Sequence, residues 1–376
     1  MKLAHTLALA GLGVGTLGII AVTQGCSSSS PAGTAADAGA TTSTAAVGGP
    51  PMAPAGTPAT TITTAHNYAL KKIYLGDTDR TGVASPNAWK NFGYNVDGKV
   101  TSSSSTDVCT LVMGAPKGTQ ADGTNGIDNS FGANILPIIT TASAGAAASI
   151  NTAITEGHFT LMIDVTGLDD SNPAQTATGL TGFLNAGGAF SGPDGGASPT
   201  FTTADNWPVL PTLLANPMDP KSSTVKFPQA YVVGGTFVNG SPATVTLSLE
   251  VGGVGISIVI NQATISFDHK SAGSATNGTI AGVINSTDFI AQLKMVAGRI
   301  SSTLCTGPSF QSIANQINEA SDIMADGSNA PGATCNGISI GIGFDAAEIG
   351  PPSIVGALAP ASPDPCATDA GTADGG

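Results

Sequence analysis

From Thr244 to Phe267 apolar side chains fall on alternate positions: Val245, Leu247, Leu249 and Val251, then Val254, Ile256, Ile258 and Ile260, then Ala263, Ile265 and Phe267. A period of two belongs to a strand with one buried face, and a helix cannot satisfy it. Gly252-Gly253 reads as a hairpin turn and Asn261-Gln262 as a second break, so the segment predicts three consecutive antiparallel strands with a Thr- and Ser-rich outer face. Phe159 to Thr166 alternates in the same way, and Tyr231 to Val238 and Thr279 to Ile284 extend the sheet. Ile338, Ile340, Ile342 and Phe344 alternate with Ser339, Gly341 and Gly343, which predicts a strand whose bare face is closely overlaid. Two helices interrupt this pattern. Phe289, Leu293, Val296 and Ile300 recur at helical spacing behind a Thr287-Asp288 cap, and Ser309 to Ala325 carries the stripe Phe310, Ile313, Ile317, Ala320 and Met324 before Asp326-Gly327. The fold class predicted is mainly β: an antiparallel β-sandwich or meander-based domain with a few packed helices (α+β), tied by disulfides.

The ends of the chain have a different character. A basic start at Lys2, an apolar core from Leu7 to Val22 and a Gly25-Cys26 junction match a bacterial lipoprotein signal over residues 1–25, with Cys26 as the site of lipid attachment. Thr23 and Gln24 depart from the usual residues before such a cysteine, which keeps plain secretion and an uncleaved anchor as alternatives. A spanning anchor needs roughly 20 apolar residues, and this core is shorter and carries Gly11, Gly13, Gly15 and Gly18. Those glycines also satisfy G-x-G-x-x-G, but no strand precedes them, so a dinucleotide site is discarded. Residues 26–64 are dominated by Ala, Gly, Thr, Ser and Pro, a composition that predicts an unstructured tether. The folded domain is expected over 65–358, with an Asp-rich front segment at 74–132, and a flexible tail over 359–376.

Charge narrows the partners. Only 10% of residues are charged and the net charge is −13, or −14 without Lys2, which argues against nucleic acid. Glu occurs only at 156, 250, 319 and 348, and Asp, a residue of turns and caps, supplies the rest. With Cys26 lipidated, Cys109, Cys305, Cys335 and Cys366 remain, an even number that reads as two disulfides in an exported protein. Of three possible pairings, Cys305 with Cys335 and Cys109 with Cys366 is preferred. No C-x-x-C occurs, and His66, His158 and His269 are dispersed along the chain, so spacing predicts no cysteine-based zinc site.

Polar residues concentrate in the front segment, at Asp77, Asp79, Asp97, Asp107, Asp122 and Asp128 with Asn95, Asn125 and Asn129. Asp77-Thr78-Asp79-Arg80-Thr81-Gly82 and Asp122-Gly123-Thr124-Asn125-Gly126-Ile127-Asp128 resemble calcium loops, with oxygen ligands on alternate residues around a tight bend. Asp77, Asp79, Asp97, Asp122 and Asp128 are the candidate calcium ligands. The competing reading is turn chemistry, with Asp128-Asn129 capping a helix toward Ile135. Glu250 and Asp268 fall on the outer face of the meander, where paired carboxylates would suit glycoside hydrolysis and solvation would be the plainer reading. Gly337-Ile338-Ser339-Ile340-Gly341 fits G-x-S-x-G, yet Ser339 sits in strand alternation and no His follows it. Trp89 and Trp207 with Tyr68, Tyr94 and Tyr231 would suit either a sugar platform or the core. No residue is assigned a catalytic role.

The phrases Tyr74-Leu75-Gly76-Asp77-Thr78-Asp79-Arg80, Asn95-Val96-Asp97-Gly98, Ser105-Thr106-Asp107-Val108-Cys109 and Gly126-Ile127-Asp128-Asn129-Ser130-Phe131-Gly132 resemble a family of uncharacterised myxobacterial lipoproteins, as does the stretch from Cys335 to Ala346. The resemblance spans most of residues 66–346. It implies anchoring by lipid, palmitate included, in the outer membrane of a Gram-negative cell, and it carries no catalytic residue. The function expected is a non-enzymatic binding or structural module of the envelope, with a cell-surface hydrolase acting on polysaccharide or ester bonds as the alternative.

Overall fold

A computed structural model describes residues 47–142, 145–190, 198–251, 254–300, 304–305, 308–352 and 355–356, with the backbone alone at 142, 248–251, 254–256, 299 and 300. The leader, Cys26 and Cys366 lie outside the described residues. In chain order the main elements are β1 (Ala65–Tyr74), α1 (Leu136–Ala142), α2 (Ala146–Thr155), β2 (Thr160–Thr166), β3 (Ala177–Gly187), β4 (Val225–Val233), β5 (Thr236–Val238), β6 (Ala243–Val251), β7 (Val254–Asp268), β8 (Ser274–Asn285), α3 (Ser286–Ile300), α4 (Pro308–Glu319) and β9 (Gly337–Ile349). All strand pairings are antiparallel, in the order β5-β4-β3-β2-β1-β9-β8-β7-β6, and β5 also pairs with β7. That last pairing closes eight strands into a barrel and leaves β6 as a flap on β7. The expected sandwich is therefore replaced by a single sheet closed on itself.

Gln262 accounts for the difference. Asn261-Gln262 does not end a strand; it bends one. Gln262 takes φ 53°, and the pairing slips there against both neighbours, between Asn261 and Thr264 on the β8 side and between Ala243 and Val245 on the β6 side. A bulge of this kind sharpens the local twist and turns the strand. The first part of β7 then pairs with β6, from Val254 opposite Val251 to Ile260 opposite Val245. The last part pairs with β5, Phe267 opposite Phe237 and Asp268 opposite Thr236. The stretch Tyr231 to Val238 likewise resolves into the end of β4 and all of β5, joined at Gly234-Gly235, both at positive φ.

Inward positions fill the barrel with one apolar core that includes Tyr68 and Leu70 of β1, Leu161, Ile163 and Val165 of β2, Leu180 and Leu184 of β3, Ile265 and Phe267 of β7, and Ile340, Ile342 and Phe344 of β9. An eight-stranded barrel is just wide enough for side chains to fill it. Outward positions are less wet than alternation predicts. Met162 on β2 is buried beside Ala69, Ile349 and Trp207, because the segment around Trp207 packs over that face. The helices gather at one end: α2 packs on β1 and β6, and α3 on β7 and β8. Asn285 caps α3, its Oδ1 accepting from the N–H groups of Thr287 and Asp288 at 2.9 and 3.1 Å. α4 stops at Glu319 rather than Ala325, since Asp322 and Ile323 turn back to bond the carbonyl of Gly337.

The front segment covers the glycine face of β9, as the bare alternation predicts. A Cβ added at Gly341 would lie 2.1 Å from the Phe92 carbonyl oxygen, and one at Gly343 2.4 Å from Phe92 Cε1. β1 ends opposite Gly343, so the backbone of Gly341 has no strand partner on that side. The Asn129 amide stands in for one, with Oδ1 accepting from Gly341 N–H and Nδ2 donating to Gly341 C=O, both at 3.1 Å. Cys109 is disulfide-bonded to Cys335, with Cα atoms 5.2 Å apart. This corrects the expected pairing. Beyond α4 the chain passes Thr110 on its way into β9, where Cys335 N–H donates to Thr110 C=O at 2.9 Å. Cys305 is also disulfide-bonded, so it cannot staple Cys335. A bridge closing 226 residues of chain contributes about 2–5 kcal/mol by restricting the unfolded state.

The stretch expected as the end of the tether is ordered over its described part. Asn95 N–H donates to Gly48 C=O at 2.9 Å, Tyr231 hydroxyl to Pro51 C=O at 2.5 Å, and Thr60 N–H to Thr178 C=O at 2.8 Å. Pro51 and its neighbours thus strap the outside of the barrel.

Gly341→Ala is expected to lower stability by roughly 2–3 kcal/mol, because Phe92 backbone must move to admit the methyl group. Gly118→Ala, where an added Cβ meets nothing within 4 Å, is expected to leave it unchanged. Thermal denaturation followed by circular dichroism distinguishes the two.

Candidate functional site

Three inward series end in an ionisable residue at the same mouth of the barrel, opposite the helices. On β1 the series Leu70, Tyr68 continues one step back to His66; on β9 the series Ile342, Phe344, Ala346 continues to Glu348; on β7 the series Ile265, Phe267 continues to His269, just past the strand. Tyr68 and Glu348 are direct register partners. Asp170, from the loop between β2 and β3, completes the group.

His66 Nδ1 lies 2.8 Å from Glu348 Oε1 and 3.7 Å from Asp170 Oδ2, and His269 Nε2 lies 3.2 Å from Asp170 Oδ1. Donor atoms of His66, Asp170 and Glu348 all fall within 4.8 Å of one another, and among the described residues this is the one trio of His, Cys, Asp or Glu so placed. The imidazoles are buried, His269 completely, whereas the Asp170 and Glu348 side chains are 36% and 22% exposed and form the rim. Beneath them Tyr68, Phe267 and Phe237 stack as a floor, with ring centroids 5.3 and 4.7 Å apart in succession. Burial pushes the Tyr68 hydroxyl far up, and the charges of Glu348 and Asp170 add to this, so it stays neutral.

The tautomer of His269 follows from its partners. Nδ1 lies 3.0 Å from the carbonyl oxygen of Ser274, which can only accept, and 3.4 Å from the Tyr68 hydroxyl, which can do either; the shorter contact puts the proton on Nδ1. In a neutral ring Nε2 is then a lone pair, facing a carboxylate oxygen and satisfied by no hydrogen bond. Two acceptors at this distance repel unless a cation or a proton lies between them.

The front-segment aspartates take other roles. Asp79 stands in an exposed turn, where Oδ1 accepts from Thr81 Oγ1, Thr81 N–H and Val83 N–H; the Thr81 hydroxyl first, then these amides, hold its carboxyl below the usual range. Asp77 belongs to the same turn, its carbonyl accepting from Ser85 N–H. Asp107 is paired with Lys99 at 2.6 Å. Asp97, Asp122 and Asp128 do come together. Asp128 Oδ2 accepts from Val96 N–H at 2.7 Å and Asp97 N–H at 3.3 Å, Asp97 Oδ1 from Lys99 N–H, and Asp122 from Thr101. Burial foremost, then the charges of Asp97, Asp322 and Asp122, pushes Asp128 up to about 9, and burial raises Asp122 as well. The five predicted ligands therefore do not close on one point; Asn129, beside them, caps the following turn through Gly132 N–H as the turn reading has it.

The remaining candidates separate. Glu250 pairs with Gly255 near one end of β7 and Asp268 ends the other, thirteen residues on along the bent strand, so the two are not cross-strand neighbours; the Glu250 side chain lies outside the described residues. Asp268 is bonded by Thr236, Lys270 and Asn277. Ser339 is buried mid-strand and donates to Asp322, whose carboxyl burial pushes up to about 7. Trp207 and Tyr68 are fully buried and Trp89 half-buried, which leaves no platform of them.

His66, His269, Asp170 and Glu348 escaped the sequence reading as a group. Extending the alternation of β9 by four residues past Phe344 and that of β7 by two past Phe267 reaches Glu348 and His269, so that signal was available.

Raised carboxyl values destabilise the fold as pH rises. From about pH 4 upward the unfolded chain loses the Asp128 and Asp322 protons while the folded chain keeps them, so this stability is full at low pH and is lost as pH climbs toward about 7 for Asp322 and about 9 for Asp128. Asp128→Asn, which keeps an acceptor for Val96, is expected to raise the melting temperature at pH 8 and change it little at pH 4; equal effects at both would refute the assignment. No protein-family model, curated protein or solved structure matches the chain.

Proposed function

We propose that this protein is a non-enzymatic binding module of the bacterial envelope, held at the outer membrane by acyl chains on Cys26, with the His66, His269, Asp170 and Glu348 mouth as its binding group. One observation carries the reading of the mouth: a barrel packed with apolar side chains throughout ends in a single ionisable layer, over a floor of aromatic rings. Among the described residues the mouth gathers His66, Asp170 and Glu348 with donor atoms within 4.8 Å of one another, a spacing that suits an ion. The hydrolase reading loses its support with the separation of Glu250 from Asp268.

Export and anchoring rest on the leader, on the resemblance to myxobacterial lipoproteins, and on cysteine use, since a Cys109–Cys335 bridge suits an oxidising compartment. Fractionation tests the anchor. In a Gram-negative host the wild-type chain is expected in the outer-membrane fraction and labelled by radioactive palmitate, and Cys26→Ser unlabelled and displaced from that fraction. An unlabelled, soluble wild-type chain would overturn the anchor.

A further inference from the structure

The geometry points to a divalent metal ion of the zinc class bound by His66, Asp170 and Glu348, with His269 as the fourth donor. This rests on reading the mouth as the binding group. Four donors about 2.1 Å from a tetrahedral ion stand about 3.4 Å apart. His66 Nδ1 stands 2.8 Å from Glu348 Oε1 and 3.7 Å from Asp170 Oδ2, and the donor atoms of these three all lie within 4.8 Å of one another; His269 Nε2, 3.2 Å from Asp170 Oδ1, lies outside that trio and reaches the ion as the rim carboxylates close in. Two imidazoles with two carboxylates are a set that suits zinc; calcium takes six to eight oxygens.

His269 supplies the independent sign. A metal-bound histidine nearly always donates its other ring N–H to a carboxylate or a backbone carbonyl, which fixes the tautomer and aims the lone pair. His269 does this through Ser274, and its fully buried Nε2 has no hydrogen-bond partner while pointing toward Asp170. If Nε2 instead carried a second proton, that N–H would be expected to align on Asp170; at 3.2 Å it is not aligned well enough to make a hydrogen bond. A cation here replaces the proton that His66 Nδ1 shares with Glu348 Oε1, removes the clash between His269 Nε2 and Asp170, and balances both carboxylates at once. Asp170 and Glu348, on the exposed rim, give the ion its path in and can close the remaining distance by rotation.

Zinc titrated into the full chain in detergent, against a chromophoric chelator, is the test. The wild-type chain is expected to take one zinc ion and to melt at a higher temperature with it, and cobalt in its place to give the absorption of a four-coordinate site. Asp170→Asn with Glu348→Gln changes only rim residues, and circular dichroism checks its fold. Loss of an outer partner of a ligand already costs about 10–100-fold in affinity, so loss of two ligands should exceed that. His269→Gln should weaken binding at least tenfold, and Asp128→Asn should not alter it. Zinc bound equally by the doubly changed chain overturns the site. Stabilisation of the wild-type but not the changed chain by calcium or manganese, without zinc uptake, overturns the ion class and leaves the mouth as a binding group. No response to zinc, manganese or calcium overturns both.

Discussion

Closing a sheet on itself forces every strand to choose an inside and an outside, and with a period of two that choice holds along the whole strand. The barrel depends on this constraint. It sets Ile340, Ile342 and Phe344 into the core and puts Ser339, Gly341 and Gly343 on the outer face of β9, where the absence of side chains lets Phe92 and Asn129 lie against the backbone. It also carries the inward series past the last apolar layer to His66, His269 and Glu348. Ring, glycine seam and ionisable mouth are consequences of one alternation.

Closure itself depends on a bend. β6 and β5 take successive stretches of one edge of β7, and the left-handed residue Gln262 bends the strand where the β6 pairing runs out, before β5 takes over at Ser266. β5 has only three residues, so the seam is short and leans on Phe237, buried against Phe267 beneath the mouth. Aromatic pairs of this kind contribute about 0.5–1.5 kcal/mol beyond the area they bury. The residues that close the barrel are thus also those that floor the candidate site.

This division explains what could be read in the residues beforehand. β2, β6, β8, β9 and both late helices are legible because their apolar period is unbroken over several residues. β1 is not: the register shift between Leu70 and Lys72 places two lysines side by side on the outside and breaks the alternation. Closure was hidden because Asn261-Gln262 has the composition of a turn, and composition does not say whether a left-handed residue reverses a strand or bends it. The disulfide pairing depends on where the chain returns after α4, a tertiary fact with no local signal. The aspartates drew notice because they cluster along the chain, whereas the four mouth residues are spread from 66 to 348 and meet only when the barrel closes.

Two groups of acids then meet the same electrostatic problem with different means. Asp97, Asp122 and Asp128 have carboxyls and amides for neighbours, and Lys99 is turned toward Asp107; with burial raising the cost of charge, Asp128 answers by keeping its proton. At the mouth Asp170 and Glu348 lie at the rim, where water shares the cost, and the two rings beneath them each present a nitrogen to the carboxylates. A proton can relieve the first cluster because a carboxyl can donate to its neighbour. At His269 the Ser274 carbonyl takes the Nδ1 proton, so the approach of Nε2 to Asp170 is relieved either by a second proton on the ring or by the cation proposed above.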